Sequence, residues 1–212
     1  MQKYNNSNNQ YGEDSYRIVG GSPAAVNRYP YLVTLIQTYS PTVMYQLCGG
    51  VLIAPDVVLT AGHCASKVNT AQIGRYDLSD WSESFESFTI AQAITHPLFN
   101  KVNYLYDYAL LKLSGTSTYP YVKLNDNPSV PGVGSWANVI GWGATESGGL
   151  SSNTPNEVSI QVTSNDQCKT DYSVEQITDT MLCASSSGKD ACQGDSGKKL
   201  KECALDSFCS RC

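Results

Sequence analysis

The stretch Gln193-Gly194-Asp195-Ser196-Gly197 decides how this chain is read. It places one serine between glycines, directly after an aspartate. Glycines at 194 and 197, which lack a Cβ, let the backbone come close to whatever the hydroxyl meets. Far upstream, Thr60-Ala61-Gly62-His63-Cys64 follows an apolar run, and Asp107-Tyr108-Ala109-Leu110-Leu111 opens another. Around these motifs, short β-prone runs recur at 31–39, 51–53, 57–60, 88–94, 108–113, 137–140 and 158–162. Turn signals such as Ala54-Pro55-Asp56 and Asn125-Asp126-Asn127-Pro128 separate many of them. No helical period is sustained over a long window, so the pattern predicts an all-β antiparallel barrel or sandwich.

Composition narrows the function classes. The 212 residues are enough for one large domain or two small ones, and 41% of them are hydrophobic, which allows a substantial core. The net charge of -5 argues against nucleic acid as a partner, and Lys198-Lys199-Leu200-Lys201 reads as a solvated basic run. No stretch is apolar enough for a membrane-spanning helix. Eight cysteines point to an oxidising, extracellular compartment, although the start Met1-Gln2-Lys3-Tyr4-Asn5-Asn6-Ser7 shows no apolar signal-peptide core. The chain has 2 histidines; with His96 in the surface turn Thr95-His96-Pro97-Leu98, no zinc set is expected, and neither metal nor cofactor is called for. The acidic stretch 77–86 reads as solvated surface.

The order His63, Asp107, Ser196 carries a chemistry. A serine hydroxyl is a weak nucleophile until a base takes its proton, and imidazole titrates near neutral pH. A carboxylate can orient that imidazole and stabilise its cation. Together with Ile18, these motifs strongly resemble the trypsin-like (chymotrypsin-fold) serine proteases, over roughly residues 17–197. The resemblance implies two antiparallel six-stranded β-barrels and peptide-bond hydrolysis by the triad His63, Asp107, Ser196. The amides of Gly194 and Ser196 would form the oxyanion hole. It also implies a zymogen: cleavage between Arg17 and Ile18 would free an amine that pairs with Asp195. Asp190, six positions before Ser196, would favour Arg or Lys before the scissile bond. Disulfides Cys48–Cys64 and Cys168–Cys183 are implied as well. Protein or peptide substrates, proteinaceous inhibitors and a monomeric state complete the expectation.

The expected domains are a polar propeptide-like tail at 1–17, a peptidase domain at 18–197 with barrels at about 18–118 and 119–197, and a Cys-containing tail at 198–212. From Lys198 the family pattern of further strands is replaced by an unrelated segment. The second barrel is therefore expected to be incomplete, with little or no activity. Partners for Cys192, Cys203, Cys209 and Cys212 stay open. Gly197-Lys198-Lys199 can be encoded with the intron-start string GTAAG, so a splicing or gene-model origin for the tail is one expectation. Two alternatives remain at this point: a non-catalytic homologue acting as a binding or decoy module, and a non-functional fragment.

Overall fold

The computed structural model describes residues 21–40, 43–143, 151–171 and 177–185. Six strands close an antiparallel barrel in the order β2-β3-β4-β7-β6-β5. They are β2 Leu32–Ser40, β3 Val43–Ala54, β4 Val57–Thr60, β5 Thr70–Ile73, β6 Glu86–Thr95 and β7 Ala109–Leu113. The remaining elements are β1 Ser22–Pro23, β8 Trp136–Gly141, β9 Asn156–Thr163, helix α1 Asn165–Asp171 and β10 Cys183–Ser185. In this second, partial sheet β9 pairs with β8, and with both β1 and β10.

The barrel interior follows from alternation. On β7 the pattern runs buried, exposed, buried, exposed, buried, so Ala109, Leu111 and Leu113 point inward. They meet Val33, Leu35, Leu52, Val58, Ala71 and Ile73 in one continuous apolar cluster. Strand β2 is buried on both faces over its first five residues. Val33 and Leu35 fill the barrel, while Leu32 faces away from it and packs with Tyr29, Leu78, Ile140 and Trp142. That second cluster is the seam between barrel and partial sheet. The Trp142 indole N–H donates to the Tyr76 carbonyl at 3.1 Å, which satisfies the polar edge of a buried ring.

The first described residues are tied to the second sheet. Ser22 and Pro23 pair with Glu157 and Asn156, and Ala24 N donates to the Pro155 carbonyl at 2.9 Å. The Glu157 carboxylate also takes Arg28 at 2.8 Å and the Tyr29 hydroxyl. Burial, and then the hydrogen bond to Glu157, push the Tyr29 phenol well above its ordinary range.

The acidic stretch 77–86 is internally organised. Glu83 accepts from the amides of Tyr76 and Asp77 at 2.9–3.1 Å. The Arg75 guanidinium lies over the Trp81 and Phe85 rings at 4.6 and 4.5 Å. Glu86 accepts from Ser117 Oγ at 2.5 Å, Thr118 Oγ1 at 2.6 Å and Thr118 N at 3.1 Å, anchoring the segment that leaves the barrel. Burial raises the Glu86 carboxyl, but these donated bonds outweigh it and hold the pKa below the ordinary 4.5. A depressed native pKa means stability that is present above 4.5 and lost as pH falls through the lower native value. Urea midpoints should therefore drop more steeply for the wild type than for Glu86→Gln below that pH. Parallel curves would refute the assignment.

Several elements were not foreseen. Strand β3 begins at Val43 and not Val51, because Val43 pairs with Ser40 in a long hairpin. Strand β5 was missed, since Thr70-Ala71-Gln72-Ile73 is short and contains a glutamine. It is a strand because β2 and β6 pair with it on both sides, which buries even Gln72.

Candidate active site

The pairing of β4 with β7 brings the site together. Thr60, the last residue of β4, stands opposite Ala109, the first of β7. Thr95, the last of β6, also pairs with Ala109. Three strand ends therefore meet at one rim of the barrel. His63 lies three residues beyond β4, and Asp107 two before β7, so residues 44 apart in sequence come into contact.

The contact is twofold. His63 N donates to Asp107 Oδ1 at 2.8 Å, and His63 Nδ1 lies 2.6 Å from Asp107 Oδ2. Only 9% of His63 and 7% of Asp107 is exposed, so little water competes. Both carboxylate oxygens act as acceptors, so Nδ1 donates and Nε2 keeps its lone pair. Such an imidazole can take a proton on Nε2 from a hydroxyl placed there, and its cation would rest against the carboxylate.

Local sequence explains the fit. After β4 the chain turns tightly: Cys64 N donates to the Ala61 carbonyl, Ala65 N to Gly62 and Lys67 N to Cys64. The Thr60 hydroxyl donates to the Gly49 carbonyl at 2.8 Å and fixes the start of this turn. Gly62 is needed for closeness. A Cβ there would lie 3.1 Å from Asp107 Oδ1 and 3.2 Å from Phe99 Cγ and Thr95 Cγ2. Gly62→Ala should push the carboxylate by a few tenths of an ångström and lower kcat about tenfold with KM little changed. Steady-state kinetics at the parent level would refute this.

The Cys48–Cys64 disulfide, with Cα atoms 6.3 Å apart, ties the His63 turn to β3. His63 lies close to both sulfurs, but they are bonded to each other and offer no thiolate to a metal. Cys168–Cys183, at 6.4 Å, joins α1 to β10. The sequence had not signalled Tyr104, whose ring meets His63 edge-on with centroids 5.7 Å apart. Tyr104 and Tyr106 adopt φ of 54° and 53°, a left-handed conformation that tyrosine gives no reason to expect. His96 is stacked on Tyr106 at 4.8 Å and tilted against Tyr108 at 4.7 Å, an aromatic packing role in its turn. Ser196, Gly194, Asp195, Asp190, Arg17, Ile18 and Cys192, Cys203, Cys209 and Cys212 lie outside the described residues.

The closed six-stranded barrel and its partner sheet are those of the chymotrypsin fold, with a carboxylate-held histidine at a strand-end rim, and the family comparison makes the chain a serine endopeptidase. The chain belongs to the trypsin family, whose model, described as "Trypsin", matches residues 18–198. It is 36% identical over 209 residues to "Serine proteinase stubble" of Drosophila melanogaster, spanning 90% of this chain and only 26% of that protein. Identity to Drosophila melanogaster "Trypsin delta" is 34% over 192 residues, covering 87% of this chain and 73% of the relative. "Trypsin-1" of Astacus astacus is 34% identical over 199 residues, with 86% and 81% covered. A solved structure described as "Structure of GrC" superposes with a TM-score of 0.72 at 24% identity, covering 80% of this chain and 76% of that one, which bears on fold alone. Its substrates are proteins or peptides, and its disulfides suit an oxidising compartment.

Proposed function

We propose that His63, Asp107 and Ser196 form the catalytic triad of a secreted, monomeric endopeptidase cutting after Arg or Lys. The observation that carries this is the pair of hydrogen bonds that His63 donates to Asp107, which leaves Nε2 as an acceptor. In this reading His63 takes the Ser196 proton, and Ser196 forms an acyl-enzyme with the amides of Gly194 and Ser196 holding the oxyanion. Asp190 forms the base of the pocket for the substrate's cation. Cleavage after Arg17 frees the Ile18 amine to pair with Asp195, and Arg17 itself suits the same specificity. Proteinaceous inhibitors would bind at this cleft.

The test uses the chain cut after Arg17 and nitroanilide peptides ending in Arg, Lys or Phe. Arg and Lys substrates should be hydrolysed and the Phe substrate spared. Activity should vanish in Ser196→Ala, and the preference should collapse in Asp190→Ser. A fluorophosphonate label, which reads one acylation per molecule, accompanies the assay. An enzyme that stays unlabelled, or that prefers Phe, would sink the reading.

A further inference from the structure

We infer that His96 is a positioning residue for the triad, holding the Asp107 carboxylate in place through the rings of Tyr106 and Tyr108. The inference rests on Asp107 as the orienting carboxylate, as proposed above. Both sequence neighbours of Asp107 turn their rings to one imidazole. His96 is stacked on Tyr106, with centroids 4.8 Å apart and planes 13° from parallel. Tyr108 meets the same imidazole at 4.7 Å, with the planes at 51°. Asp107, between the two tyrosines, gives its carboxylate to His63. One histidine thus grips the residues before and after the group that orients the other histidine.

The backbone at Asp107 needs such a grip. Tyr106 has a φ of 53°, which a tyrosine keeps only where its surroundings hold it there. The Tyr108 amide reaches back to the Tyr106 carbonyl at 2.8 Å, so Asp107 sits at the centre of a three-residue turn. Strand β7 begins only at Ala109, so the ladder stops short of Asp107. Relaxation of Tyr106 to negative φ would redirect the chain just before Asp107. The bonds from His63 could follow a displaced carboxylate, but longer and more bent. A misplacement of about 1 Å near a reacting group costs on the order of 100-fold in rate, so part of an ångström is enough to matter.

His96 is itself fixed to the barrel. It follows Thr95, the last residue of β6, and its amide donates to the Tyr108 carbonyl at 3.0 Å, one step beyond the Thr95–Ala109 pair. Its carbonyl accepts from Phe99 N at 2.9 Å, and its Nδ1 accepts from Leu98 N at 3.2 Å. Nδ1 therefore carries the lone pair, and the proton of the neutral ring is on Nε2. The side chain has two separable functions. Its nitrogen closes the turn 96–99, and its ring holds Tyr106. The turn also touches the other triad partner, since Phe99 lies against Gly62, where a Cβ would come within 3.2 Å of it.

Two substitutions separate these functions. In His96→Asn the side-chain oxygen accepts from the Leu98 amide and keeps the turn, but the ring is gone. In His96→Phe the ring stays and the acceptor goes. Positioning through the rings predicts that His96→Asn lowers kcat for an Arg-nitroanilide about tenfold with KM within about twofold. His96→Phe should keep kcat within about twofold and lose only thermal stability. The downfield proton resonance of the His63 Nδ1–H bond to Asp107, identified by its loss in Asp107→Asn, reports the same geometry without turnover. It should shift or broaden in His96→Asn and stay in place in His96→Phe. Parent-level kcat in His96→Asn, or a loss in His96→Phe as large as in His96→Asn, overturns the inference and leaves the triad reading standing. If the parent hydrolyses no Arg-nitroanilide, the specificity reading fails on its own account. The resonance then decides: one that is unmoved in His96→Asn overturns the inference, and one that moves there but not in His96→Phe bears it out.

Discussion

Asp107→Asn is expected to lower kcat about 10⁴-fold, the scale established for that substitution in serine-protease triads, which is about 5.4 kcal/mol of transition-state stabilisation. The geometry says why so small a change matters. The His63 amide donates to Asp107 Oδ1 at 2.8 Å, so an asparagine must keep its carbonyl oxygen there. Its NH₂ group then takes the place of Oδ2, facing His63 Nδ1 at 2.6 Å. Two donors cannot face each other, so the imidazole must carry its proton on Nε2, and the lone pair that should receive the serine proton is gone. Fold and substrate pocket are untouched. KM for an Arg-nitroanilide should stay within a few-fold, and circular dichroism should be unchanged. A kcat loss smaller than about tenfold would refute Asp107 as the orienting carboxylate.

Removing the Cys48–Cys64 bridge should be the most costly change for stability. The cysteines are 16 apart in sequence, and closing a loop of that length is worth about 3 kcal/mol by the chain-entropy argument. For a chain of this size that corresponds to roughly 10 °C in Tm. Both residues are buried, at 2% and 0% exposure, so Cys48→Ala with Cys64→Ala also leaves a small void. Activity should fall with stability, since Cys64 is the immediate neighbour of His63. Calorimetry showing a Tm within about 2 °C of the parent would overturn the brace's importance.

The site was legible in part, and the reasons are specific. His63 and Asp107 are 44 residues apart, and no local pattern links them. Their motifs, taken in order, did so through family resemblance, and so did the cysteine pairs. Strand β4 was read with its true bounds because four β-prone residues sit between clear turn signals. Strand β5 was invisible because its burial comes from neighbours on both sides, which a single sequence does not display. Tyr104 carried no signal either: its left-handed φ is imposed by the closed 100–105 loop, and tyrosine has no preference for it.

The seam formed by Leu32 and Tyr29 with Ile140 and Trp142 has a thermodynamic consequence. A core shared between the barrel and the partial sheet gives neither a complete surface of its own. Their melting is then linked: loosening one exposes apolar area on the other, and the free energies no longer add as independent quantities. An inhibitor that touched only one half would raise the unfolding free energy of both, by an amount set by its concentration relative to its Kd.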